Sequence, residues 1–342
     1  MILFLAGLGG LCLAFANGSN DNFKGVATLL GSRTAGYRRA LAWGTLTTAA
    51  GSVAAIFFAR GLMETFRGGG IVPPDTALDP TFAAAVACSA AATVLSASRI
   101  GMPVSTTHAL IGSLVGTGLM AAGSVSWNTL THKLLLPLCI SPLVAFAAAG
   151  LAYKVLHSMR IRMGVERGSR SRGEHVSDEA YRGRVLGVQA EPGIALLHYI
   201  SAGSVGFARG LNDTPKMAAL LLVAPVFEPS AALLAVGAVI AGGAWFGARR
   251  VAETLAHRIT SMNAGQGLTA NAVTATVVIA SSRLGLPAST THVSCGALIG
   301  IGAAGHGAVW GTIRKIVLAW LVTMPIAGIG GALAYIALTA IA

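Results

Sequence analysis

Two short motifs recur in this chain, and each gathers residue types that can hold an anion. Residues 99–116 read RIGMPVSTTHALIGSLVG and residues 283–300 read RLGLPASTTHVSCGALIG, in register at an offset of 184. In each copy Pro103 or Pro287 interrupts the chain. Ser105, Thr106 and Thr107, or Ser289, Thr290 and Thr291, then stand where a helix opens. Ser and Thr cap helix starts, and the first turn leaves amide donors free. Such a start carries partial positive charge and attracts oxyanions. Two starts meeting from opposite faces would offer six hydroxyls to a tetrahedral oxyanion. The opposing interpretation, hydroxyls that only satisfy broken backbone, explains one copy better than an intact pair.

The second echo joins GSNDNFKG (18–25) to GLNDTPKM (210–217), offset 192. It repeats Asn20–Asp21 as Asn212–Asp213, and Lys24 as Lys216. Asp and Lys stand three apart, one helical face if the backbone stays helical. Each charge would cost about 2.5 to 3.5 kcal/mol facing lipid. These residues must therefore pair or line a polar hollow, together with Arg99, Arg209 and Arg283. Two Asp against two Lys would leave such a pocket neutral. His108 and His292 follow the hydroxyl clusters and read first as packing residues, with a proton relay as the alternative.

The elements that position these residues are apolar. The chain has 342 residues, 54% hydrophobic and 11% charged, with a mean hydropathy of +0.71. A water-soluble chain of this length needs more charge, so composition places it in lipid. Apolar stretches cover about 3–32 (broken near 18–25), 40–59, 82–98 with 104–121, and 134–153. In the second half they cover 194–224, 231–248, 268–282 with 286–304, and 315–340. A full span needs roughly 20 residues, so the paired stretches read as short re-entrant hairpins. Residues 1–17 resemble a secretory signal, but no Lys or Arg precedes the apolar run, and the recurring motif follows directly. They read as the first membrane segment. Cys12, Cys88, Cys139 and Cys295 lie in apolar stretches without metal-ligand spacing and read as small buried hydrophobes.

Net charge is +12. The longest basic stretch, Lys154 to Arg184, holds eight Lys and Arg and four acids and, Tyr181 apart, no interleaved aromatics for base stacking. It reads as a cytoplasmic loop near anionic lipid headgroups, not as a nucleic-acid surface. With the N-terminus outside, the inside loops also collect Arg33, Arg38, Arg39, Arg249, Arg250, Arg258, Arg314 and Lys315. The outside loops keep only Arg60, Arg67 and Lys133. That asymmetry sets orientation and makes the halves inverted.

Gly-x-Asn-Asp in each half, with the duplicated Pro-x-Ser-Thr-Thr-His, resembles the inorganic phosphate transporter family called PiT, over the whole chain apart from about 155–192. The resemblance implies an all-α polytopic membrane protein, an inverted-repeat transporter with two re-entrant helical hairpins. Residues 1–154 form the first repeat, 155–192 the basic loop and 193–342 the inverted second repeat. It implies ion-coupled symport of phosphate by alternating access across the cell membrane, no enzymatic activity, no cofactor, and a homodimer among membrane lipids. Asn20, Asp21, Asn212 and Asp213 would serve the coupling ion, H+ or Na+, with Na+ held by those four residues. Phosphate would meet Asp21, Lys24, Asp213, Lys216 and the Ser/Thr clusters. The family pattern Gly-Ala-Asn-Asp-Val-Ala-Asn-Ala has Asn where this chain has Lys24 and Lys216. An ammonium there can stand in for sodium electrostatically, so proton coupling or transport of a metal–phosphate is the expectation. A sulfate or other oxyanion permease of the same fold is the nearest alternative. A Ser/His hydrolase is disfavoured because its centre would be duplicated and inverted.

Overall fold

The computed structural model describes residues 1–341 apart from 59, 68–69, 170–178, 186–187 and 224–227. The first half runs through α1 (Ile2–Asp21), α2 (Ala27–Gly31), α3 (Tyr37–Phe58), α4 (Arg60–Phe66), α5 (Pro74–Leu78), α6 (Pro80–Arg99) and α7 (Thr106–Ala122). A single turn, α8 (Trp127–Thr129), continues through a π-helical stretch, Leu130–Leu135, into α9 (Leu136–Arg162). The second half holds α10 (Ala190–Leu221), α11 (Pro229–Gly247), α12 (Arg249–His257), α13 (Ala264–Arg283), α14 (Thr290–Ala304) and α15 (Trp310–Thr339). Between the halves, β1 (Glu166–Ser169) pairs antiparallel with β2 (Glu179–Arg182), and β3 (Arg184–Val185) with β4 (Val188–Gln189). α9 persists to Arg162 and α10 starts at Ala190. The expected basic residues Arg170 and Arg172 lie outside the described residues.

Among the described residues six helices are long and apolar enough to cross a bilayer: Ile2–Asp21, Tyr37–Phe58, Pro80–Arg99, Trp127–Arg162, Pro229–Gly247 and Trp310–Thr339. Their outward faces carry large apolar side chains such as Phe57, Phe246 and Leu321, as lipid contact requires. Of the cysteines only Cys295 is buried; Cys12 and Cys139 face outward, because their helices turn an apolar side to lipid.

Helix packing is reciprocal. α1 packs on α6 and α11, as α10 packs on α13 and α3; α7 packs on α15, as α14 packs on α9. The first helix of each half therefore packs on the other half, α1 on α11 and α10 on α3. Gly18 and Gly210 permit this. A methyl at Gly18 would collide with the Ile240 carbonyl oxygen, and one at Gly210 with that of Thr48.

The links after α6 and α13 end those helices in the same way. Gly101 (φ 75°) and Gly285 (φ 67°) take the left-handed conformation. Gly101 N bonds Ser98 O and Met102 N bonds Ala97 O; Gly285 N bonds Ser282 O and Leu286 N bonds Ser281 O. These are Schellman caps, which turn the chain back at a glycine. Ser105 and Ser289 then cap α7 and α14, accepting from His108 N at 3.1 Å and His292 N at 3.2 Å. One expectation changes. α6 and α13 have 20 residues each, about 30 Å of helix, not the short arms of 82–98 and 268–282. Their extra length carries Arg99 and Arg283 to the exposed helix ends instead of to the buried cluster. The Arg99 carbonyl there accepts from Arg250 Nη1.

Candidate functional site: two interlocked helix starts

Both predicted motifs arrive at one place. Asn20, Asp21, Lys24, Asn212, Asp213, Lys216 and the two Ser-Thr-Thr clusters are packed together, none more than 3% exposed. The first-half Asp–Lys couple spans the end of α1, where the helix gives way to the turn before α2. The second lies inside the continuous α10, which carries Pro215 in its interior.

Each ammonium reaches across the repeat. Lys24 Nζ pairs with Asp21 Oδ1 and donates to Thr291 Oγ1 and, at 3.3 Å, to Val104 O. Lys216 Nζ pairs with Asp213 Oδ1 at 3.0 Å and donates to Thr107 Oγ1 and Ala288 O, both at 2.9 Å. The hydroxyls close the clasp: Thr291 Oγ1 donates to Val104 O at 2.8 Å, and Thr107 Oγ1 to Ala288 O at 3.5 Å. Thr106 and Thr290 donate to Asp21 Oδ2 and Asp213 Oδ2, each at 3.3 Å. Four of the six predicted hydroxyls thus meet the charged couples or the opposite link. Those of Ser105 and Ser289 are turned to their own helix starts.

Asn20 and Asn212 brace the links. Asn20 Oδ1 accepts from Val104 N at 3.1 Å, and its Nδ2 donates to Ser98 Oγ and Met102 O, both at 3.0 Å. Asn212 Oδ1 accepts from Ser282 Oγ at 3.2 Å, and its Nδ2 donates to Asp213 Oδ1 at 2.9 Å and Ala288 O at 3.0 Å. His108 and His292 meet on the far side, ring centroids 4.3 Å apart, with Trp320 4.0 Å from His292. Trp320 Nε1 donates to Pro103 O at 3.2 Å, fixing the first link from behind.

One strong group breaks the symmetry, and the charge count made from the motifs alone overlooks it. Arg209 is buried beside Asp213, its Nε 3.8 Å from Oδ2. Nη1 donates to Asn22 Oδ1 at 3.1 Å and Thr48 Oγ1 at 3.2 Å; Nη2 donates to Asn17 Oδ1 at 2.5 Å. Asn17 passes this on, donating through Nδ2 to Asp21 Oδ2 and Thr106 Oγ1, both at 3.1 Å. Two Asp, two Lys and one Arg leave the cluster with one surplus positive charge, not neutral. Asn17 and Arg209 each precede the motif Asp by four residues, at the same offset of 192. That spacing was the available signal.

A family model described as "Phosphate transporter family" matches residues 17–331, nearly the whole chain and every residue of the cluster. The chain belongs to the phosphate transporter family. Relatives within it include a "Probable low-affinity inorganic phosphate transporter" of Rhizobium meliloti, 30% identical over 94% of this chain and 92% of that protein. A protein of the same description from Mycobacterium tuberculosis is 26% identical over 98% of this chain and 77% of its own length. Among solved structures, one titled "The sodium-dependent phosphate transporter" superposes with a TM-score of 0.79 at 26% identity, covering 100% of both chains. This member of the phosphate transporter family is accordingly a multi-pass membrane protein, and the relatives it matches are described as phosphate transporters.

Proposed function

We propose that the protein moves inorganic phosphate across the cell membrane by ion-coupled symport, with two inverted halves alternating about the Asp–Lys clasp. The observation that carries this is reciprocal: each lysine, held by its own aspartate, donates to the helix-start threonine of the other half. A phosphate oxygen is a stronger acceptor than a threonine hydroxyl or a carbonyl, because charge-assisted hydrogen bonds are about twice as strong. Phosphate entering between the helix starts would draw both ammonium groups from Val104 O, Ala288 O and the threonines. It would meet the amide ends of α7 and α14. The surplus charge that Arg209 adds suits a monoanion. The clasp residues are all buried in this structure, so alternating access would require the halves to part toward one face at a time.

The coupling ion we assign is the proton. The two carboxylates that would serve sodium are already met by donors: Asp21 by Lys24, Asn17 and Thr106, Asp213 by Lys216, Asn212 and Thr290. The side-chain oxygens of Asn20 and Asn212 are taken by Val104 N and Ser282 Oγ. A sodium ion bound by Asn20, Asp21, Asn212 and Asp213 would have to displace these donors. Phosphate near neutral pH brings its own exchangeable proton, which sulfate lacks, and this favours phosphate over sulfate beside a carboxylate. Uptake of labelled phosphate into proteoliposomes decides the matter. Accumulation driven by a pH gradient without sodium is expected, whereas an absolute sodium requirement would remove the proton assignment. Mere equilibration would remove symport.

A further inference from the structure

A second site lies away from the clasp, where the last turns of α9 approach the first turns of α10 and α13. It is a trough of about 340 Å³, walled by Leu156, Met163, Ile194 and Leu197 with Leu268 behind. Its mouth opens to the protein's flank: Leu156, Met163 and Leu197 are 46%, 48% and 51% exposed. Arg160 stands in the wall. Its Nε and Nη1 are enclosed and have no hydrogen-bond partner, and its Cζ lies 5.8 Å from the Tyr181 ring. Among the described residues no Asp or Glu lines the trough.

Enclosed guanidinium N–H groups without acceptors cost free energy, so the site is built for an acceptor that arrives from outside. A guanidinium presents parallel donors that match a phosphate bidentately. The rest of the lining is mostly apolar, with His157, Gln189 and Gln266 as its other strongly polar side chains. The trough lies beside the basic linker that sequence assigns to the cytoplasmic face, where the leaflet is anionic. One guanidinium above a wall of Leu156, Ile194 and Leu197 matches a headgroup phosphate with an acyl chain beneath it. We propose that the trough binds an anionic phospholipid, its headgroup phosphate on Arg160 and one acyl chain along Leu156, Ile194 and Leu197.

The test uses the full-length protein in detergent, mixed with phosphatidylglycerol, phosphatidylcholine or inorganic phosphate and read by native mass spectrometry. The wild type should retain phosphatidylglycerol several-fold over phosphatidylcholine. Arg160→Gln should lose that preference, and Arg160→Lys should keep part of it. Equal retention of the two lipids, undiminished phosphatidylglycerol on Arg160→Gln, or saturation of the site by inorganic phosphate alone would overturn the proposal. So would disulfide formation between copies through Leu197→Cys that excludes lipid, since it would make the trough an interface of this chain with itself. If Arg160→Gln does not fold, Leu197→Trp blocks the mouth from the lipid side. Loss of bound phosphatidylglycerol then supports the site, and its retention overturns it.

Discussion

The two copies of the clasp use the same residues in different backbones. In the first, the Asp–Lys couple bridges the end of a helix; in the second it sits within an unbroken helix of 32 residues. Yet the two ammonium groups find equivalent partners: a threonine across the interface and a link carbonyl at home. The hydrogen-bond requirement is therefore stronger than the local backbone. What differs is the position four residues before each Asp. Asn17 is neutral and bridges; Arg209 is charged and ties its own α10 to the end of α1 through Asn17 and Asn22 and to α3 through Thr48. Duplication supplies the cradle, and a single unduplicated side chain supplies the net charge.

The largest effect should come from treating the copies alike. Asp21→Asn or Asp213→Asn leaves a buried lysine with no counter-charge, a loss of about 3–5 kcal/mol. Each variant should abolish phosphate uptake while detergent-solubilised protein remains detectable at full length. Normal uptake in either variant would show that its copy is a spectator. Arg209→Gln strikes the difference itself. It should raise the apparent KM about tenfold, equivalent to about 1.4 kcal/mol of anion attraction, with a smaller change in kcat. Arg209→Lys should recover most of the affinity; a lysine variant as poor as glutamine would mean that bridging geometry, not charge, is what Arg209 provides.

Lys24→Asn tests whether the ammonium excludes a cation. Freed of its partner, Asp21 should accept sodium, and uptake measured with and without sodium should become at least partly sodium-dependent. Absence of any sodium effect would refute the idea that the Lys24 ammonium stands in for sodium. The smallest effect concerns the caps. Ser105→Ala and Ser289→Ala should each lower stability by about 1 kcal/mol, seen as similar small drops in melting temperature. Unequal drops would show that the two helix starts are not equally supported, with Trp320 behind Pro103 the evident reason.

Much of this was legible before any coordinates. A helix start preceded by Ser and a turn at Gly101 or Gly285 follow from local chemistry, and both halves obey it. The apolar spans follow from composition, and the Asp–Lys pairing from the cost of unpaired charge in lipid. The reach of α6 and α13 was not legible: Ser98, Arg99, Ser282 and Arg283 look like interruptions of apolar runs. In the fold the serines turn inward to Asn20 and Asn212, so helix continues through them.

The sequence by itself determined that the protein is a membrane-embedded duplication whose motifs carry paired charges and capped helix starts, because spacing and burial cost act locally along the chain. Only the tertiary structure decided that the halves trade partners. Thr291 thus completes the surroundings of Lys24, and Thr107 those of Lys216, while Arg209 of one half rests on Asn17 of the other. Contacts between residues up to 267 apart leave no trace in local spacing. They arise because small residues let the helix backbones touch and because every buried donor in a bilayer must find an acceptor within the protein.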